Sequence, residues 1–262
     1  MTDTPLDLAH AAMEAAPDSD AARLRFYERL ADNELFLLLT EEARDDRLNP
    51  EVFELSDAKW ILVFDTEERL AAFAGREVPY AALSGRAIAG MLSGQGVGLG
   101  VNLEVAPSSI LLPSQAVDWL AETLGHAPQE VESRISAFHA PGGLPDALLE
   151  GLDVKLALAG GLASNAYLVG TEDEHGRRGH LLAFIDARPG AESALAKAAS
   201  EALTFSGIDQ GEMDVAFFDA SDPASAALAR HGLRIELPKV EPVDRKIPEA
   251  PGSDPDRPPK LR

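Results

Sequence analysis

Ile61-Leu62-Val63-Phe64-Asp65-Thr66-Glu67-Glu68-Arg69-Leu70 reads as a strand that hands over to a helix. Four apolar residues run together without polar alternation, as in a strand buried on both faces. After Asp65 the pattern changes: Leu70 and Phe73 sit three apart, as on one face of a helix. Asp65 and Glu68 are spaced as a capping-box pair, and Gly75 stands where a helix stops. The same unit recurs at Leu182-Ala183-Phe184-Ile185-Asp186 and at Val215-Ala216-Phe217-Phe218-Asp219. A buried strand feeding a helix through a short acidic turn builds α/β and α+β domains. The fold class expected is therefore α+β with α/β-like units.

Working outward from these units gives two domains. Thr4, Pro5 and Asp7 mark a helix start, and Pro17 ends that helix. Ser19 lies in a cap cluster before a helix with Phe26 and Leu30 on one face. Glu34–Thr40 reads as a buried strand, and Val52–Leu55 with Lys59–Phe64 as a hairpin around Ser56-Asp57. Val78–Ala82 is a short strand whose Pro79 suits a sheet edge. Ser84 caps a helix carrying Ile88 and Leu92. Strands follow at Val97–Val105 and Ser109–Leu112, and Ser114 caps a helix with Val117, Leu120 and Leu124 on its face. His126-Ala127-Pro128 marks the boundary.

The second half reads as a strand near Val131–Phe138, a helix from Pro145 to Leu158 and a hairpin of Ala166–Thr171 with Gly179–Asp186. An Ala-rich helix, the third strand-to-Asp unit, a helix over 223–230 and a strand at Leu233–Leu237 complete it. The organisation is an N-terminal helix over residues 1–17, a domain over 18–125, a domain over 129–237 and a tail over 238–262. Each domain is expected to be a mixed sheet flanked by helices. The tail has seven prolines and few large apolar side chains, so it reads as disordered.

Charge narrows the partners. The chain of 262 residues carries a net −21. The tail holds six basic and five acidic residues, which leaves −22 on the rest. Such a field repels a phosphate backbone, so no nucleic-acid partner is expected. It serves solubility, and it would attract a basic protein partner. Cysteine is absent, which excludes disulfides, thiolate nucleophiles and cysteine-bound zinc. Met1-Thr2-Asp3-Thr4-Pro5 lacks the basic start of a secretory signal, and no apolar run reaches membrane-spanning length. The expectation is a soluble cytoplasmic protein without membrane association.

The chemistry-bearing motifs are sparse. Ser93-Gly94-Gln95-Gly96-Val97-Gly98-Leu99-Gly100 is glycine-rich, but it matches neither the dinucleotide spacing nor a phosphate loop with its Lys. Val97, Leu99, Val101, Leu103 and Val105 alternate with small or polar residues, which is a strand with one bare face open to a neighbouring element. A strand-end Asp can bind Mg²⁺ or act as a nucleophile, and it is also a good cap or turn residue. Cap and turn are the readings adopted for Asp65 and Asp186. Asp222 before Pro223 is the better cap in the third unit, so Asp219 is the least explained. His175 and His180 with Asp173 cluster at the hairpin tip, where a solvated turn is expected. No serine has a nucleophile-elbow context. Neither a catalytic residue nor a cofactor or metal ligand is assigned, and Asn102 and Asp219 are the candidate ligand or partner contacts.

Phe26-Tyr27-Glu28-Arg29-Leu30, the strand at Leu35–Leu39, Leu62-Val63-Phe64-Asp65-Thr66-Glu67-Glu68-Arg69-Leu70 and Gly100-Val101-Asn102 together resemble the N-terminal domain of SseB-like proteins. These are named for enhanced serine sensitivity. The resemblance covers about residues 18–125, and 131–237 is similar to the C-terminal domain that often accompanies it. Leu103 follows Asn102 where the family usually has proline. The resemblance implies a small cytoplasmic α/β-type domain without established catalytic residues. The function expected is a non-enzymatic interaction or regulatory protein linked to amino-acid metabolism. The alternative is a binder of an amino-acid-like metabolite, or an enzyme using the strand-end aspartates.

Overall fold

The computed structural model describes residues 3–43, 48–55, 58–126, 135–207 and 213–239. The turn at 56–57, most of the expected boundary, the start of the strand expected from Val131 and the tail from residue 240 lie outside the described residues.

The first half opens with helices α1 (Pro5–Ala15) and α2 (Asp20–Asp32). Thr4 caps α1 in a full capping box with Asp7, and Ser19 caps α2. The strands are β1 (Glu34–Leu38), β2 (Val52–Leu55), β3 (Ala58–Phe64), β4 (Tyr80–Ser84), β5 (Val97–Val101) and β6 (Ile110–Leu112). The helices among them are α3 (Glu67–Ala74), α4 (Gly85–Leu92) and α5 (Ser114–Gly125). The sheet runs β4-β1-β3-β5-β6, with β2 paired to the first part of β3. Among the described residues of this sheet only β3 and β5 run parallel, with Val63 beside Val101.

Alternation sorts the side chains of this sheet. Leu35, Leu37, Ile61, Val63, Leu99 and Val101 face α1, α2, α4 and α5 in the main core. Phe36, Leu62 and Phe64 face the other way, against Leu70 and Phe73 of α3. The β3 run is therefore apolar on both faces because both faces are covered. Helix α1, read as a separate leading helix, contributes Leu6 and Ala9 to the main core.

The second half contains β7 (Ile135–His139), α6 (Asp146–Leu158), β8 (Asn165–Asp173), β9 (Arg178–Ile185), α7 (Glu192–Ser206), β10 (Met213–Phe218), α8 (Pro223–His231) and β11 (Leu233–Glu236). Its sheet runs β10-β9-β8-β11, with β7 on the far part of β8. Again one pair is parallel: β9 and β10, with Ile185 beside Phe218. Helices α6 and α7 cover one face through Leu148, Leu152, Leu195 and Leu203. Leu228 of α8 covers the other. The fold is α+β, built on two mixed sheets.

Local detail corrects three expectations. Asp65 does not cap α3: the cap is Thr66, whose hydroxyl accepts from the Arg69 amide at 3.2 Å. Strand β5 stops at Val101 because Asn102 and Glu104 take positive φ of 50° and 62°. Ser114 is the first residue of α5, behind Pro113, and makes no side-chain cap. The bare glycine face of β5 is filled: a Cβ on Gly98 would lie 2.6 Å from the Trp60 ring, and one on Gly100 2.5 Å from Leu62.

Candidate functional site

The carboxyl ends of β3 and β5 meet the start of α1 in a buried polar network. The Asp65 carboxylate accepts from Arg69 Nη1 at 2.8 and 3.0 Å and from the Thr4 hydroxyl at 2.5 Å. The same guanidinium binds Asp7, Nη1 donating to Oδ1 at 3.1 Å and Nη2 to Oδ2. Asn102 closes the other side. Its Oδ1 accepts from the Asp65 amide at 3.0 Å, and its Nδ2 donates to Ser108 Oγ at 2.8 Å. The Ser108 hydroxyl in turn donates to Asp7 Oδ1 at 2.5 Å. Asp7, Arg69, Asn102 and Ser108 are all buried.

The electrostatics follow from that geometry. Burial opposes the Asp7 charge, but hydrogen bonds from Arg69, Ser108 and Thr4 outweigh it and hold the carboxyl well below the usual carboxylate range. Burial likewise opposes the Arg69 charge, and the two carboxylates outweigh it and push that group up. Asn102 suits its place because Asn tolerates the left-handed region and presents a donor and an acceptor at once. The network fastens α1 to the strand ends. Sequence reading found Asp65 and Asn102 but missed Asp7, Arg69 and Ser108 as their partners; the local signal was Arg69, four residues after Asp65.

Asp219 lies in the other sheet, so the two candidate residues do not form one site. It is exposed at the end of β10. Its amide donates to Asp222 Oδ2 at 3.2 Å, and its carbonyl accepts from Ser225 Oγ at 2.8 Å. Beside it at the end of β9, Asp186 has a φ of 49°. Asp186 Oδ1 accepts from the Ala220 amide at 2.8 Å, which clasps the two strand ends together. At the hairpin tip, Asp173 accepts from the amides of His175 and Arg177 and from Arg177 Nε at 2.8, 2.9 and 2.7 Å. Backbone donation from Arg177 is the largest influence on Asp173, and the net effect holds its carboxyl below the ordinary value. His180 instead meets the Gly142 carbonyl at 3.0 Å. Among the described residues no cluster of His, Cys, Asp or Glu could hold a metal.

An open groove of about 870 Å³ runs along this second sheet, lined by His139, Gly142, Gly170, Thr171, Arg178 and His180. His139, Gly170 and His180 are cross-strand neighbours on β7, β8 and β9, so they share a face. Glycine in the middle admits the Ala140 carbonyl oxygen, which would lie 3.2 Å from a Cβ placed on Gly170. Glu172 lies 3.7 Å from both His139 Nε2 and Arg178 Nε.

The last cluster joins the two halves. Lys155 of α6 is buried and donates to Asp32 of α2 at 2.6 Å and to Glu201 of α7 at 2.9 Å. Arg86 of α4 bridges the same two acids, at 2.5 Å to Asp32 and 3.0 Å to each Glu201 oxygen. Glu28 of α2 stands 3.8 Å from the Lys155 ammonium. Phe205 of α7 lies in the core of the first half, with the Lys155 ammonium 5.7 Å above its ring.

Residues 8–119 match the model of the SseB protein N-terminal domain, so the first sheet and its helices are an SseB N-terminal domain. The match begins inside α1, the helix that the polar network ties to the sheet. No curated protein and no solved structure matches the chain.

Proposed function

We propose that this chain, whose residues 8–119 form an SseB N-terminal domain, is a non-enzymatic cytoplasmic interaction or regulatory protein tied to amino-acid metabolism. The observation that carries this reading is the fate of the strand-end polar groups. Asp65 and Asn102 stand where open sheets place ligands, yet both are spent on Arg69, Thr4 and Ser108. Chemistry at that position would need a carboxylate free to meet a substrate. The surface supports association: buried charges face one another, so the excess of −21 lies mostly at the surface and favours a basic protein partner. The link to serine and related metabolites rests on the family resemblance. A C-terminal domain of SseB type for residues 129–237 belongs to the same proposal.

Affinity capture with the full chain tests the reading. A stoichiometric basic partner released by high salt supports it, and retention that ignores ionic strength counts against the electrostatic part. A second reading is favoured by one feature of the second sheet. Asp186 and Asp219 end its parallel pair side by side at the surface, where a small metabolite or cation would meet them. Thermal shift against amino acids and divalent ions separates the two readings. A ligand at a hundredfold excess over its Kd adds about 2.7 kcal/mol, and Asp219→Asn should abolish that gain without lowering stability in the ligand's absence.

A further inference from the structure

The junction between the two halves holds three carboxylates, Glu28, Asp32 and Glu201, against two cations, Lys155 and Arg86. Asp32 and Glu201 take both cations in direct hydrogen bonds, and Lys155 reaches Glu28 only at 3.8 Å. Glu28 is 3% exposed, and its Oε1 is buried without a hydrogen-bond partner among the described residues. A buried carboxylate with an orphan oxygen beside an already neutralised pair is costly, because burial removes water without a replacement donor. We infer that the junction is a proton-binding site: docking of the two halves is coupled to proton uptake at Glu28.

The surroundings of Glu28 agree. Burial pushes its carboxyl up, Asp32 adds to the rise, and Lys155, Arg29 and Arg25 oppose it without prevailing. The facing groups come from every element around it: Asp32, Arg29 and Arg25 from α2 itself, Lys155 from α6, Glu201 from α7 and Arg86 from α4. Arg25 is drawn off toward Glu150, at 2.7 Å. Helix α1 brings His10 against Phe26, two residues from Glu28 and so on the opposite side of α2. The sign follows from linkage. A group whose value is raised on docking stabilises the docked form below its ordinary value, and that contribution is lost as pH rises through the raised value. Glu201 works in reverse. Burial is outweighed by Arg86 and Lys155, so its carboxyl is held low and its contribution disappears as pH falls. The junction therefore has an acid limb set by Glu201 and an alkaline limb set by Glu28. This inference is independent of the partner reading, because it concerns only contacts within the chain.

Two measurements on the full chain decide it. A ¹³C titration of the glutamate carboxyls should show one resonance with its midpoint shifted above the ordinary glutamate range, missing in Glu28→Gln. Thermal midpoints across pH should fall for the natural chain over that range and stay level for Glu28→Gln. If every glutamate titrates at ordinary values, or the two proteins share one alkaline slope, the junction takes no proton and the inference is overturned. Should Glu28→Gln fail to fold, the titration of the natural chain decides alone.

Discussion

Arg69 carries a full charge at a site 2% exposed, and two carboxylates from sequence-distant segments share it. Such a pair adds little over an apolar replacement of all its members, but removing one member alone strands the others. Arg69→Met should accordingly cost about 3–5 kcal/mol, read as a lowered urea midpoint with unchanged slope. The pH dependence follows from Asp7. Its carboxyl is held low by Arg69, Ser108 and Thr4 against the opposing effect of burial, so its contribution is present above the ordinary carboxylate range and lost as pH falls below it. Asp7→Asn should flatten the acid limb of stability between about pH 2 and 5, and leave the alkaline limb as it was. At this scale the sequence singled out Asn102 as a candidate contact and read Asp65 as a cap, without the long-range partner of either. Beyond Arg69, four residues from Asp65, the partners are Thr4, 61 residues from Asp65, and Ser108, 6 residues from Asn102, and no spacing rule links these residues that only the folded sheet brings together.

The elements themselves were legible because their signals are local. Thr4, Ser19, Ser84, Gly75 and Pro223 all stand at the helix ends their chemistry predicts. Errors arose where two local signals competed. Asp65 and Thr66 are both good caps, and the demand of Arg69 for a buried carboxylate assigned the task to Thr66. The alternation beyond Val101 continues in sequence, but the positive φ of Asn102 breaks the strand there. Loss of the Thr66 hydroxyl in Thr66→Ala should cost about 1 kcal/mol, seen as faster amide exchange confined to the first turn of α3. The close approach of α4 to α2 sets a harder limit. A Cβ on Gly85 would sit 1.8 Å from the Leu30 carbonyl oxygen, backbone that cannot turn aside. Gly85→Ala should cost at least about 1–3 kcal/mol and lower the thermal midpoint by several degrees.

The way the two halves join was the least legible level. In sequence Lys155 is only a position within the helix expected from Pro145 to Leu158, and Phe205 the end of an Ala-rich one. Only assembly shows that the first is buried among carboxylates and that the second sits in the core of the other half. Two sheets joined this way should unfold as one unit. Phe205→Ala removes a side chain 2% exposed and should cost about 3–5 kcal/mol. Calorimetry should then resolve two transitions where the natural chain shows one. The same phenylalanine places a constraint on the order of events during synthesis. The family match ends at residue 119, inside α5, and the core of that half takes in a ring 86 residues further on. At roughly 5–20 residues per second the ribosome needs about 4–17 seconds to cover that distance. For that interval the newborn domain carries an unfilled hole on its surface, an opening that a chaperone would meet before Phe205 does.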